Sequence, residues 1–272
     1  MAGPAIVACA SLEPVIESID PSVEARYVSH ELHESPLGPG DERLVHERLQ
    51  EAIDAVSDPS VFYVAIAYAR SSISIDRLDP RDSPLIVWQA VDCADALCGR
   101  SPDRFGEAKA AGTYYLTPGS IERGVDPYKA YLAYTGACSE LLERHRKAGL
   151  TPTWQTGPRI SQLRTNGPQP AESLLLAQFR EQFGSYDRVV LLDTGSTLEL
   201  HRSYAESLAD FLERIRGKSV AFDSQPATLA AVKQLLDVTA LDTDRVDILH
   251  PESDDQAAAQ TPLTHNTEMT TQ

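Results

Sequence analysis

Short apolar runs alternate along the chain with stretches in which apolar residues recur three and four positions apart, a rhythm that predicts strands interleaved with helices. The run Ala5–Ala10 is small and β-branched and reads as a buried strand, and Leu12 to Ile16 continues it into a helix. A second strand is expected over 23–28, after the Asp20-Pro21 turn, followed by a Gly/Pro-punctuated loop at 33–40. From Asp41 to Val56 a helix is expected, because Val45, Leu49, Ala52, Ile53 and Val56 fall on one stripe. Val61–Ala67 and Leu85–Trp88 are nearly continuous apolar runs, the pattern of parallel strands covered on both faces. Thr113–Leu116 is a further strand, and Asp126-Pro127 supplies an N-cap and first-turn proline for one long helix reaching about Lys147. Beyond residue 170 the rhythm continues. A helix carries Leu174, Leu175, Phe179 and Phe183, a strand covers 188–192, and a helix carries Tyr204, Leu208, Phe211 and Ile215. A strand at 219–222, a helix with Leu229, Val232 and Leu236, and a strand at 246–249 complete it.

This pattern predicts an α/β fold of seven or eight strands, with a mostly parallel central sheet and helices on both faces, an arrangement that two Rossmann-like halves also satisfy. Residues 1–250 form either one domain or two lobes joined near 151–170, a stretch with four prolines and little periodicity. Residues 252–272 carry no aromatic side chain and few apolar ones, so 251–272 is expected to be a flexible tail.

Composition narrows the function classes. Twenty-four basic against forty acidic side chains give a net charge of −16, which repels nucleic-acid phosphates and anionic lipid. Only five of the basic residues are lysines, a balance that suits a salt-rich or GC-rich host. No run approaches the roughly 18 apolar residues of a membrane helix, and the amino terminus has no signal-like leader, so a cytoplasmic protein with no membrane or nucleic-acid partner is expected. Cys9, Cys93, Cys98 and Cys138 are too few and too scattered for a disulfide scaffold, and none forms a CxxC pair.

Open α/β sheets bind ligands beyond the carboxyl ends of their strands. That rule selects Cys9, the segment Ala69-Arg70-Ser71, Asp92-Cys93, Thr117-Pro118-Gly119 and Asp193-Thr194-Gly195. Cys9 and Cys93, with His33 on the loop after the second strand, could meet as soft ligands to a metal ion such as zinc. Taken singly, each cysteine is better read as a small buried hydrophobe, and Cys138 more strongly so. Arg70, Tyr114, Thr117, Gly119 and Asp193 are candidate ligand-binding residues, although Asp193-Thr194-Gly195 serves equally as plain turn chemistry. His145, His201 and His250 look like helix-end or loop residues. No GxGxxG follows the first strand, and GxxxxGK[ST], HExxH and GxSxG are absent, which disfavours dinucleotide, P-loop and common hydrolase sites.

The string Gly112–Gly119, GTYYLTPG, resembles the signature of the uncharacterised domain-of-unknown-function family 1638. Ile6–Leu12 with Cys9, Leu32-His33, Asp92-Cys93, Tyr134–Leu142 and Tyr186–Gly195 extend the resemblance over roughly residues 5–250. It implies a soluble α/β protein with no assigned activity, whose relatives neighbour corrinoid-dependent methyl transfer, so corrinoid methyl-transfer proteins are implied partners. It also implies a thiolate–imidazole cluster. Val91 stands where the family's His-Asp-Cys places its histidine, and Ala67-Tyr68-Ala69-Arg70 where a Gly-Leu-Cys-Gly loop is expected, leaving Cys9, Cys93 and His33.

Three readings follow. The first is a binding or accessory protein whose cleft, formed by Cys9, His33, Cys93, Thr117 and Gly119, holds a soft metal or a small organic ligand. The second is an enzyme of one-carbon or methyl-group metabolism. Its nucleophile is the Cys93 thiolate, activated at a helix N-terminus, and Arg70 orients an anionic substrate. The third is a family member whose site has decayed.

Overall fold

The computed structural model describes residues 3–29, 42–70, 73–98, 111–154, 171–237, 239 and 246–251. Within them, eight strands divide between two sheets, the first ordered β2-β1-β3-β4-β8 and the second β5-β6-β7. Their ranges are β1 Ala5–Cys9, β2 Glu24–Val28, β3 Val64–Ala67, β4 Leu85–Trp88, β5 Thr113–Leu116, β6 Arg188–Asp193, β7 Ala221–Pro226 and β8 Val246–Leu249.

All pairings are parallel except that of β8, which runs antiparallel along the edge of β4. Every residue of β1, β3 and β4 is buried, which accounts for their unbroken apolar runs. The first sheet is fed by a 3₁₀ turn at Ala10–Leu12, α1 (Glu13–Ile19), α2 (Glu42–Val56) and α3 (Cys93–Leu97). On α2 the buried residues are Val45, Leu49, Ile53 and Val56, the stripe expected from the spacing.

The sequence pattern leaves one central sheet or two halves open; the α/β class and mostly parallel pairing hold, and β5 pairs with β6 in a second sheet rather than joining the first. Chain order cannot distinguish these outcomes, because strand pairing is decided by which faces the helices cover. Residues 189 and 191 of β6 enter one core while 190 and 192 enter the other, so the second sheet is a layer shared between the two. The chain crosses from the first sheet to the second between α3 and β5. The proline-rich stretch at 155–170 lies outside the described residues and links α6 to α7, which both contribute to the second core.

The second core is built from α4 (Pro118–Arg123), α5 (Pro127–Thr135), α6 (Cys138–Lys147), α7 (Glu172–Phe183) and α8 (Glu199–Arg216), while α9 (Ala230–Leu236) packs on the first. The single helix expected from Asp126 to Lys147 is two helices. Gly136 adopts a left-handed φ of 73° and caps α5, a conformation that a β-carbon penalises, so the stripe restarts at Cys138. On α7, Leu174 is exposed and Leu175 and Phe179 carry the burial. Leu198 and Phe62 are exposed too, whereas Tyr204, Leu208, Phe211 and Ile215 of α8 are all buried as their spacing requires.

Candidate functional site

In the first sheet the chain leaves β1 for β2 on one side, then returns across β1 to β3 on the other. This reversal opens a crevice at the carboxyl ends of β1 and β3. Cys9 is the last residue of β1 and is fully buried. Cys93 is the first residue of α3 and is 7% exposed. Strand β3 separates β1 from β4, so the loop after β4 must reach back over β3 to bring Cys93 to Cys9.

Three hydrogen bonds hold that loop: Trp88 Nε1 donates to Tyr68 O (2.7 Å), Arg70 N to Ala90 O (3.1 Å) and Val91 N to the buried carboxylate of Asp95 (3.1 Å). Asp92 caps α3 by accepting from Asp95 N at 2.9 Å. The result places the Cys9 and Cys93 thiols in hydrogen-bonding contact, with Ser11 Oγ 3.1 Å from Cys9 Sγ and within reach of Cys93.

The hydrogen bond with Cys9, followed by burial, pushes the Cys93 thiol well above the ordinary thiol range, and Ser11 only partly offsets this. The expectation of a thiolate lowered by a helix N-terminus is therefore corrected: α3 has only five residues, and burial beside a second thiol outweighs its dipole. Burial likewise raises the Tyr68 hydroxyl, which donates to Ser29 O at 3.0 Å.

Beside Cys93 lies a cavity of about 90 Å³ lined by residues of both sheets' connections, including Ser11, Asp92, Tyr114, Thr117, Asp126 and Tyr186. The GTYYLTPG string forms its far wall. Thr117 caps α4 reciprocally with Ser120: Ser120 N donates to Thr117 Oγ1 (3.0 Å) and Thr117 N to Ser120 Oγ (2.8 Å). Gly119 meets the 3₁₀ turn so closely that a β-carbon there would stand 1.9 Å from Ser11 O. Glycine is thus required for α4 to dock on the segment that follows Cys9. An Arg123–Glu13 ion pair at 3.0 Å closes the same contact. Tyr114 meets Tyr186 edge-to-face, with ring centroids 5.2 Å apart.

Behind the cavity wall is a buried polar network that residue spacing did not single out. Asp126 caps α5 by accepting from Tyr128 N and Lys129 N, and its other oxygen accepts from Tyr204 OH at 2.7 Å and faces Lys129 Nζ at 3.2 Å. Lys129, fully buried, also donates to Gly124 O (2.7 Å) and Ser120 O (3.2 Å) and sits over the Tyr204 ring at 5.1 Å. The cap was legible as Asp-Pro; the burial of one lysine among five was not. His145, in the last turn of α6, and His201, in the first turn of α8, lie at helix ends as expected but are buried: His201 pairs with Glu122 at 3.0 Å, and His145 donates through Nδ1 to Leu141 O at 2.8 Å.

The other expected residues separate from this site. Arg70 does not line the cavity; its side chain is 38% exposed, bonds Ile73 O and pairs with Asp247 of β8 at 3.4 Å. Asp193 lies at the end of β6 in a different, shallow concavity with Arg202 and Gln225. Its carboxyl is held below the ordinary range chiefly by the Gly195 N–H. His33 lies outside the described residues. Cys138 is buried in the second core, as expected of a small hydrophobe. Among the described residues no group of three His, Cys, Asp or Glu side chains is placed to hold a metal ion, and no helix is long and apolar enough to cross a membrane.

A mixed α/β protein with one mostly parallel and one parallel sheet and a thiol-bearing crevice at a strand-order reversal is the class that these features define. The chain belongs to the family described as "Protein of unknown function (DUF1638)", whose model matches residues 30–236. No curated protein and no solved structure matches it.

Proposed function

We propose that this is a ligand-binding protein whose site is the crevice at Cys9 and Cys93, with a soft metal ion held by the two sulfurs. The observation that carries the reading is the meeting of two thiols 84 positions apart (93 − 9) beside a cavity at the strand-order reversal. Paired thiols select soft, thiophilic ions over hard ones, and Ser11 supplies a neighbouring oxygen. The described cavity lining carries the Asp92 carboxylate and no lysine, arginine or histidine, while Asp126 is neutralised by Lys129 behind it, a balance that favours a cation over a phosphate or carboxylate ligand. His33 is the proposed third ligand.

The test is the metal content of untagged, reduced protein after exposure to zinc and, under anaerobic conditions, to copper(I). One equivalent bound by the wild type and lost in Cys9→Ser/Cys93→Ser supports the reading. Stoichiometric metal retained by the double variant removes these residues as ligands. Loss on His33→Ala alone would identify the third donor.

A further inference from the structure

We infer that Cys9 and Cys93 form a reversible intramolecular disulfide, a modification site that withdraws both sulfurs from the crevice according to the thiol–disulfide balance around the protein. Both sulfurs come from parts of the fold with little freedom to separate. Cys9 ends a strand paired on both sides, by β2 and β3, and Cys93 starts a helix whose approach is pinned by Asp92, Asp95 and the Trp88–Tyr68 bond. Thiols held in contact by a rigid scaffold need little backbone movement to reach disulfide geometry, and their confinement gives each a high effective concentration toward the other.

Access is one-sided. Cys93 lines the cavity, whereas Cys9 is sealed behind it, so an oxidant entering from solvent meets Cys93 first. The co-reactant is a low-molecular-weight disulfide. The Cys93 thiol loses its proton, and its sulfur attacks one sulfur of that disulfide. The disulfide's S–S bond breaks, and the departing thiolate takes up a proton. Cys9 sulfur, also giving up its proton, then attacks Cys93 sulfur in the mixed disulfide and expels the second small thiol. One external disulfide is consumed, two external thiols are released, and one protein disulfide is formed.

The remaining cysteines are poorly placed to enter the cross-link. Cys138 is buried in the second core, and Cys98 sits at the opposite end of α3 from Cys93, near the Thr228 contact that docks α9. Bond formation does not depend on the metal reading, but its consequence does: the disulfide removes both sulfurs as donors.

The experiment uses the full-length, metal-free, reduced protein equilibrated with oxidised glutathione, then unfolded under acid quench, alkylated and peptide-mapped without reduction. The expected result is a Cys9–Cys93 cross-linked peptide with Cys98 and Cys138 outside the cross-link. Dithiothreitol should reverse it, and Cys98→Ser should leave it unchanged. Cys9→Ser should stop at a glutathione adduct on Cys93. Free Cys9 and Cys93 in the wild type, a stable mixed disulfide on Cys93, or a bond to Cys98 or to a second chain would overturn the inference. If the cross-link forms but reduced protein binds no metal, the disulfide stands and the metal reading falls. If metal is taken up but no cross-link forms, the metal reading stands and the disulfide falls.

Discussion

At the scale of the residue, Cys93 is a positioned but unactivated thiol. Its hydrogen bond with Cys9 and its burial both favour the neutral form, so iodoacetamide at neutral pH should label it more slowly than the half-buried Cys98. Cys9→Ala removes the larger of those two influences and should speed Cys93 labelling; an unchanged rate would contradict the contact. Lys129 is the residue on which the cavity's back wall depends. Lys129→Met leaves the Asp126 carboxylate buried without its cation and should cost about 3–5 kcal/mol, read from the urea midpoint. Tyr204→Phe, which removes a single donor to the same carboxylate, should cost only about 1–3 kcal/mol. His145 ties stability to pH. Burial first, against the Leu141 carbonyl bond that favours the charged form, with Lys129 and His201 adding to burial and Glu122 opposing it, holds its folded-state titration below the ordinary 6.5. The unfolded chain therefore takes up the proton first as pH falls. His145's contribution is complete above about 6.5 and is lost progressively below it, toward its depressed folded value. His145→Gln should flatten the acid limb of the stability profile between those values, and an equally steep limb would assign it elsewhere. The thiols were legible in the sequence because they follow apolar strand runs; the lysine and the histidines were not, since their burial depends on partners up to 79 positions away, as His201 with Glu122 shows.

At the scale of the element, the GTYYLTPG string owes its distinctiveness to two contacts. It supplies the reciprocal Thr117–Ser120 cap and the close approach of Gly119 to Ser11. Gly119→Ala forces either α4 or the turn after Cys9 to shift, and a loss of at least about 1–3 kcal/mol is expected. Because Ser11 touches Cys9, the same substitution should alter the rate of Cys93 alkylation, which an effect confined to stability would leave unmoved. Helix periodicity read most elements to within a few residues: 42–56 and 199–216 show their expected buried stripes. It failed at Gly136, where two stripes on either side of a left-handed glycine share a phase close enough to look continuous. It also placed the strand at 219–222 too early. Strand β7, over 221–226, is half-exposed at a sheet edge and lacks the apolar run by which buried strands are recognised.

At the scale of the whole molecule, the alternation of strands and helices identified the α/β class and left one sheet or two halves undecided. The partition into two sheets rests on β6 presenting alternate residues to two cores, a property of pairing rather than of any single segment. It matters for the site, because the cavity is walled on one side by connections of the first sheet and on the other by β5 and α4 of the second. A net charge of −16 adds self-repulsion to the folded state, so moderate sodium chloride should raise the thermal midpoint, and a falling midpoint would argue against that repulsion. The most direct test of the paired thiols is titration of the reduced, metal-free protein with phenylarsine oxide, a trivalent arsenical that bridges two sulfurs only when they lie side by side. One equivalent should bind, with Cys9 and Cys93 both shielded from later alkylation and binding lost in either single serine variant. Uptake that survives either variant, or two thiols that stay independently reactive, would contradict the pairing.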